Sequence, residues 1–564
     1  MNKKTWVALA TAMACALPSL AQQVRPDAGR LLDSERAVPP VPAPGGPPTT
    51  VVPQPPAAAP TNDNLRVTPA AFRVRGSTLF PESVLAALLD SLRDQPTDME
   101  GLVKAAQTVR RYYRERGYLL TEAYLPEQQF PVTGGAIVIQ VLEARVGKVQ
   151  VRMEDPGVSE SLANRIVHSH LKPGDHITEY ALDKPILLLR DQVGFEATAA
   201  VEPGANTGEA DITVIVKSAG PKLDGQLSLD NFGARSAGRI RAVGQANWNN
   251  PTGAGDVLNL RGQLSDQSDT RLYRIGYSRP FGGGATKLGL AVARTEYALG
   301  RQFAALGATG EGTIYSVSLT QPFVRSRARN VLGALTLERK DLNDRTTTPV
   351  QNAERRVDSV RASLLGNFVD EALGASFNSY ALNVTFGEAK FDPTTLAQDL
   401  GATGLRQSGS FNKVNLEALR TTFLSAASRI TLTFQGQLAS KNLTSAEKLD
   451  VGGVAGVRGY PIGEAVGDSG AVLNVEYRLQ LPEVAKVPLG LSVFYDWGHV
   501  RYNEAGTPFP SIASETLSSA GFGVTVGTFG NYLLTTQLAW RLDRPPASEP
   551  DRRPRVWLSL QKWL

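Results

Sequence analysis

The chain reads as mainly β, with a transmembrane β-barrel of about 16 strands preceded by two small α/β units. Three observations predict this. From about residue 219 to the end, segments of roughly ten residues alternate apolar with polar or small side chains, and clusters of Gly, Asn, Asp, Pro and Thr separate them. Ahead of that region the order β-α-α-β-β occurs twice, over roughly 75 residues each time. The 564 residues are 42% hydrophobic with a mean hydropathy of −0.16. No later stretch reaches about 18 apolar residues, which argues against a helical membrane protein. A barrel escapes that argument, because its lipid-facing and lumen-facing residues average out.

Residues 1–21 read as a secretory leader. Lys3 and Lys4 form the charged start, Trp6 to Leu17 the apolar run, and Ser19-Leu20-Ala21 the small-residue cleavage site. The only cysteine, Cys15, lies inside it. Cleavage leaves no disulfide and no Cys-ligated metal. The net charge of +5 falls by two as Lys3 and Lys4 depart, too small a balance to point to nucleic acid.

Residues 22–64 combine a short charged helix, Arg25 to Arg36, with a Pro- and Ala-rich tract from Val38 to Pro60. Such a tract favours extended polyproline II and buries no core. At ~3.1 Å per residue it reaches on the order of 70 Å, enough for the helix to enter and leave a barrel lumen.

Residues 65–143 form the first α/β unit. A strand ends through Phe72, Val74 and Gly76. A helix follows over Glu82–Leu92, with Val84, Leu85, Leu88, Leu89 and Leu92 on one face. Thr97 and Glu100 make a capping-box pattern for a second helix that turns Leu102, Ala106, Val109 and Tyr113 inward and stops at Gly117. Strands are expected over Leu119–Leu125 and Ile137–Leu142. Residues 144–218 repeat the order: a strand through Val149 and Val151, helices over Ser159–His168 and Ala181–Val193, and strands over Phe195–Val201 and Asp211–Val216. Pro185 suits a first turn or a kink better than an unbroken helix.

Residues 219–564 carry the barrel pattern. At about 20–22 residues per strand and connection, this span suits about 16 strands. Along Leu473–Leu481, Leu473, Val475, Tyr477, Leu479 and Leu481 face one way, and Asn474, Glu476, Arg478 and Gln480 the other. A charged second face favours a wet lumen over a sandwich core.

The candidate site is the pair of stretches Val457-Arg458-Gly459-Tyr460 and Phe494-Tyr495-Asp496-Trp497-Gly498. Arg458 sits in a Gly-rich loop, from about Lys441 to Gly470, that is expected to fold inward. Alternation puts Phe494, Asp496 and Gly498 on the inner wall. An arginine arriving from a loop and an aspartate fixed on the wall make a charge-assisted, bidentate pair. No catalytic residue is assigned. The chain has no Gly-x-Ser-x-Gly, no phosphate-cradling loop and no dinucleotide fingerprint. His168, His170 and His176 lie close together, but no carboxylate or thiol completes a familiar metal site, and they read as loop residues. No metal and no cofactor is expected.

VRGY followed by FxDxG resembles the signature of POTRA-containing outer-membrane translocases, and its spacing resembles the two-partner-secretion transporters (ShlB/FhaC/HecB-like, TpsB type). Further likeness lies in Arg114-Glu115-Arg116-Gly117-Tyr118, Pro126-Glu127-Gln128, Asp230-Asn231-Phe232-Gly233, Asn250 to Asp256 and Gln321-Pro322-Phe323. The terminal Trp563-Leu564 departs from the Phe that often ends such barrels. The resemblance implies paired POTRA domains at 65–143 and 144–218 and a Gram-negative outer-membrane location with those domains in the periplasm. Its implied partners are a large secreted exoprotein with an N-terminal secretion domain, outer-membrane lipids, and the barrel assembly machinery during biogenesis. It implies a loop lock made by Val457, Arg458, Gly459, Tyr460, Phe494, Asp496 and Gly498, and a resting plug at Arg25–Arg36. An insertase of the same superfamily and a diffusion porin are the alternatives; two small domains and a tethered helix favour secretion.

Overall fold

Residues 27–33, 41–43, 66–130, 134–266, 270–504 and 514–564 are described by the computed structural model. The leader, the ends of the expected Arg25–Arg36 helix and most of the proline-rich tract lie outside the described residues. Within them the helix runs over Ala28–Asp33 (α1).

The first α/β unit contains β1 (Ala71–Arg75), α2 (Glu82–Ala87), α3 (Met99–Arg114), β2 (Glu122–Tyr124) and β3 (Ala136–Leu142). Its sheet order is β1-β3-β2, with β1 parallel and β2 antiparallel to β3. Leu102, Ala106, Val109 and Tyr113 of α3 are buried against Ile137, Ile139 and Val141, as the 3.6-residue spacing predicts. Local details differ from expectation. The cap of α3 is Asp98, whose carboxylate accepts from Gly101 N at 2.9 Å, because Thr97 is held by backbone pairing to Val67. The helix expected over Glu82–Leu92 is split: the amide of Leu89 bonds to Ala86 O, tightening the chain into a 3₁₀ turn at Asp90–Leu92 and leaving Val84 exposed. The strand expected over Leu119–Leu125 shrinks to β2, because turn bonds take the amides of Tyr118, Leu119 and Thr121.

The second unit contains β4 (Arg145–Met153), α4 (Glu160–His170), α5 (Glu179–Arg190), β5 (Phe195–Pro203) and β6 (Glu209–Ser218), in sheet order β4-β6-β5. Pro185 lies inside an unbroken α5, contrary to the expected first turn or kink. It costs the Ala181 carbonyl its helical donor. Burial of Leu182, Ile186, Leu187, Leu188 and Leu189 around it holds the helix together.

The barrel closes with 16 strands. They are β7 (Leu223–Asp230), β8 (Arg241–Asn249), β9 (Val257–Ser265), β10 (Arg271–Phe281), β11 (Thr286–Ala298), β12 (Thr309–Arg325), β13 (Arg329–Thr347), β14 (Val350–Asp370), β15 (Ser376–Phe391), β16 (Gly409–Phe423) and β17 (Ser428–Ala439), then, past a short ribbon of β18 (Leu449–Asp450) and β19 (Val466–Gly467), β20 (Ser469–Val484), β21 (Val487–Arg501), β22 (Ser514–Thr528), β23 (Tyr532–Arg541) and β24 (Arg555–Trp563). All barrel neighbours are antiparallel, and β24 returns to β7 through Ser559–Trp563. On β13 the outward Leu335 and Leu337 are exposed while Thr336, Lys340 and Asp344 are buried inside. The apolar belt ends where Arg339 meets Asp358 and Arg356 meets Asp341, each at 2.7 Å, on the outer face of β13 and β14. About ten residues of β13 therefore lie within the belt, the length a tilted strand needs to cross a bilayer. The rest rises beyond it.

The second unit is clasped to one end of the barrel, the near end. Asp191 takes a two-pronged bond from Arg325 at 2.7 and 2.9 Å, and its carbonyl accepts from Lys287 Nζ at 2.9 Å. Asp183 accepts from Arg327 at 2.6 Å, and Ser159 N donates to Gly253 O at 2.7 Å. Helices α4 and α5 thereby meet β11, β12 and the turns β8–β9 and β12–β13 in one interface.

In the first unit Glu143 closes β3 against α3. It accepts from Tyr113 Oη at 2.8 Å, from the amides of Thr78 and Leu79 at 2.9 and 3.0 Å, and from the Thr78 hydroxyl. Burial pushes its carboxyl up, but those hydrogen bonds outweigh burial and hold it below its usual 4.5. A depressed folded-state pKa contributes stability that is complete above about 4.5 and drains away as pH falls through the lower value. Hydrogen-exchange protection of α3, corrected for intrinsic rates, is expected to drop between pH 6 and pH 3 in the wild-type chain and to change far less in Glu143→Gln. Equal pH responses in both would refute the assignment.

Candidate functional site

The connection from β17 to β20, residues 440–468, starts at the far end of the barrel and turns back into the lumen. Its sequence permits this because a hydrophobic knot forms within it: Val451, Val457, Tyr460 and Ala465 are buried with Val472, Val500 and Leu517 of the wall. Its base is held on one side. Glu447 accepts from Lys340 of β13 at 2.5 Å and from Lys413 of β16 at 2.7 Å. Lys448 pairs with Asp468 at 2.8 Å.

The tip is held on another side, by Arg458. The guanidinium spans Asp496 of β21, with Nε at 3.1 and 3.0 Å from the two carboxylate oxygens and Nη2 at 2.7 Å from Oδ1. The Arg458 amide donates to Asp496 Oδ2 at 3.0 Å. Nη1 donates to Glu476 Oε2 of β20 at 2.8 Å. The guanidinium carbon lies over the Phe494 ring, 3.4 Å from its centroid, a cation–π contact. Asn474 Nδ2 and Ser519 Oγ add bonds to Asp496, each at 2.9 Å. Trp557 Nε1 donates to the Arg458 carbonyl at 2.8 Å. Arg458 is 4% exposed and Asp496 0%, so the pair is dry. Arg478 pairs with the other carboxylate oxygen of Glu476 at 2.5 Å.

All seven residues singled out in the sequence come together here. Val457 packs in the knot, and the Tyr460 hydroxyl donates to Arg544 O at 2.9 Å. The two glycines are needed for close approach. A Cβ at Gly459 would lie 2.8 Å from Arg541 Cα, and one at Gly498 would lie 2.2 Å from Val451 Cγ1. Sequence reasoning put Glu476 and Asn474 on the inner face but did not see them as partners of the pair. Ser519 and Trp557 were missed, having no signal beyond an inward register. Among the described residues no group of His, Cys, Asp and Glu is arranged to hold a metal. His168 and His170 bond the carbonyls of Asn164 and Ile166, each at 2.9 Å, in their own helix. His499 faces outward on β21, stacked on Trp497.

Helix α1 lies in the lumen between β11–β13 and the base of the loop, with Ala28 buried. Ala28 N donates to Asp344 Oδ1 at 3.1 Å, and Arg355 pairs with Asp27 at 3.4 Å and also with Asp344. Arg30 pairs with Asp450 of β18 at 3.2 Å.

A family model described as haemolysin secretion/activation protein ShlB/FhaC/HecB matches residues 208–526, and one described as POTRA domain, ShlB-type, matches residues 67–144. The chain is 25% identical over 480 residues to the heme/hemopexin transporter protein HuxB of Haemophilus influenzae, covering 85% of this chain and 83% of that protein. It is 23% identical over 498 residues to the outer membrane transporter CdiB of Dickeya dadantii, covering 85% and 84%. The fold is similar to the solved structure of CdiB from Escherichia coli, with a TM-score of 0.68 and 20% identity over 100% of this chain and 99% of that one.

Arg458→Ala is expected to leave the Asp496 carboxylate dry and without a cation, at a cost of about 3–5 kcal/mol to the docked loop. Protease added to intact outer-membrane vesicles should then cut within residues 452–463, which the wild-type chain protects. Arg458→Lys, which keeps charge but loses the fork, should fall between. Wild-type protection in both variants would refute a tip anchored by this pair.

Proposed function

The chain belongs to the haemolysin secretion/activation protein family (ShlB/FhaC/HecB), and from that premise we propose a two-partner-secretion translocase in which the Arg458 contact locks the in-folded loop. Members are outer-membrane β-barrel transporters with POTRA domains that export partner exoproteins. Residues 65–143 and 144–218 act as periplasmic capture domains for an unfolded exoprotein bearing an N-terminal secretion domain. Their outer strands, β1, β2, β4 and β5, are the edges open to an extended chain by β-augmentation. The exoprotein then passes through the lumen and folds outside, where folding prevents return. Residues 219–564 form the pore, surrounded by outer-membrane lipids after delivery by the barrel assembly machinery.

The observation that carries this reading is the dry, six-bonded seat of Arg458 inside an otherwise polar lumen. A diffusion pore has no use for a charge pair buried at that cost. Helix α1 supports a resting plug, because Arg30 and the preceding Asp27 meet counter-charges on the loop and the wall.

Co-expression with a candidate exoprotein tests the lock. Arg458→Ala should lower exoprotein in the medium at least tenfold while the barrel stays inserted and heat-modifiable. Wild-type export in that variant would sink the lock. No export of any candidate, together with failed assembly of other barrels in a deletion strain, would favour an insertase. Deleting residues 22–60 should raise planar-bilayer conductance several-fold, and unchanged conductance would count against the plug.

A further inference from the structure

A second lumenal feature sits at the near end, well away from Arg458. Asn330 of β13 and Asn367 of β14 face each other across the ladder, and both are buried. Asn330 Nδ2 donates to Asn367 Oδ1 at 2.8 Å. Both amides also donate to a single backbone carbonyl, that of Pro42, at 3.2 and 2.8 Å. Beside them Ala334, Leu365 and Ala381 of three adjacent strands form a small apolar patch that receives Val41. The amide of Asn330 is oriented by Arg325, whose Nη1 donates to its oxygen at 3.0 Å, and Arg325 is itself anchored by Asp191 of the second α/β unit.

The chemistry of this seat is that of a main-chain binder. Two side-chain donors saturate one carbonyl oxygen, a group every residue carries, and the apolar patch accepts one modest side chain next to it. The seat offers donors to the carbonyl, and the residue it holds, Pro42, has no N–H of its own to satisfy. It lies at the barrel mouth beside the second α/β unit, where an extended chain entering from that side first meets the wall.

We propose that Asn330, Asn367 and the Ala334–Leu365–Ala381 patch form a binding site for extended polypeptide, filled at rest by residues 41–43 and taken over by the exoprotein during export. The inference rests on the translocase reading. The resident segment is an internal competitor: it is covalently present, so its effective concentration is high, and it blocks the mouth until a longer chain displaces it.

The test uses the full chain in outer membranes, carrying Val41→Cys and Ala334→Cys and a short bis-maleimide that reductant cleaves. Without exoprotein the two cysteines should bridge, and adding Asn330→Ala with Asn367→Ala should cut the yield at least fivefold. Equal yields overturn the seat, and this readout requires no export. With the exoprotein co-expressed, bridging should fall during export, and a bridge formed beforehand should stop export until cleaved. Export at the wild-type rate through a bridged barrel overturns the displacement and leaves the translocase reading standing. If the cysteine pair loses heat-modifiability, Val41→Asp replaces it. A charge in the apolar patch should expel the segment and raise resting conductance, though by less than deletion of residues 22–60 does because α1 stays in the lumen, and unchanged conductance overturns the proposal.

Discussion

Every barrel strand sends successive side chains to opposite faces, and lipid claims one of them. The inward set is thereby freed to carry charge, and in this chain it does: Lys340 and Asp344 on β13, Lys413 on β16, Glu476 on β20 and Asp496 on β21 are all buried within the lumen. A lumen crowded by a loop and a helix leaves little water to solvate these groups. Each must therefore find a partner of opposite sign or pay the cost of desolvation. Most of the partners come from the two inserted segments, and Asp344 takes Arg355 from β14 of the wall. Glu447 answers Lys340 and Lys413, Arg458 answers Asp496 and Glu476, and Asp27 shares Arg355 with Asp344. The wall and its contents are complementary because the lipid outside left the inside polar.

Such pairs contribute position more than stability. A buried ion pair repays its desolvation only with good geometry, and a hydrophobic plug of equal size would hold at least as tightly. What the ion pairs supply is register. A guanidinium fork that meets a carboxylate, a second carboxylate and an aromatic face together fits one placement of the loop and no neighbouring one. Glycines at 459 and 498 act in the same sense, since they permit backbone and wall to approach to a distance any side chain would forbid.

Much of this was legible in the sequence. The strict alternation of Leu473–Leu481 put Glu476 inside and Tyr477 outside, and the register of β20 and β21 agrees. The same alternation placed Asp496 inward and made a meeting with Arg458 foreseeable. Helix α3 was legible because its apolar residues recur at helical spacing, whereas the same spacing over Glu82–Leu92 did not carry α2 past Ala87. Illegible features depend on contacts distant in sequence. Trp557 reaches Arg458 across 99 residues and Asn330 reaches Pro42 across 288, and neither has a local pattern to announce it. Caps and breaks were misjudged for a related reason: the pairing of Thr97 with Val67 and the burial around Pro185 overrode local preference.

The two inserted segments differ in what each leaves behind on departure. Withdraw α1, and Asp344 still has Arg355 and the Tyr297 hydroxyl, while Asp450 keeps the amides of Gly452 and Gly463 at 3.1 and 2.8 Å. Among the described residues no wall or loop carboxylate is stripped of every donor, and the Asp450 side chain, 31% exposed where Asp496 is 0%, can turn to water for the cation it loses. Withdraw the loop tip, and Glu476 retains Arg478, but Asp496 keeps only the neutral donors Asn474 and Ser519. A carboxylate can lean on two neutral hydrogen bonds only if water also reaches it, and in the packed lumen it is fully buried. The helix can therefore leave at a cost spread over residues that have other partners, whereas the loop tip can leave only once the lumen is wet. Vacating the helix first would admit that water. The order in which the two segments release is thus written in which buried charges have a second partner.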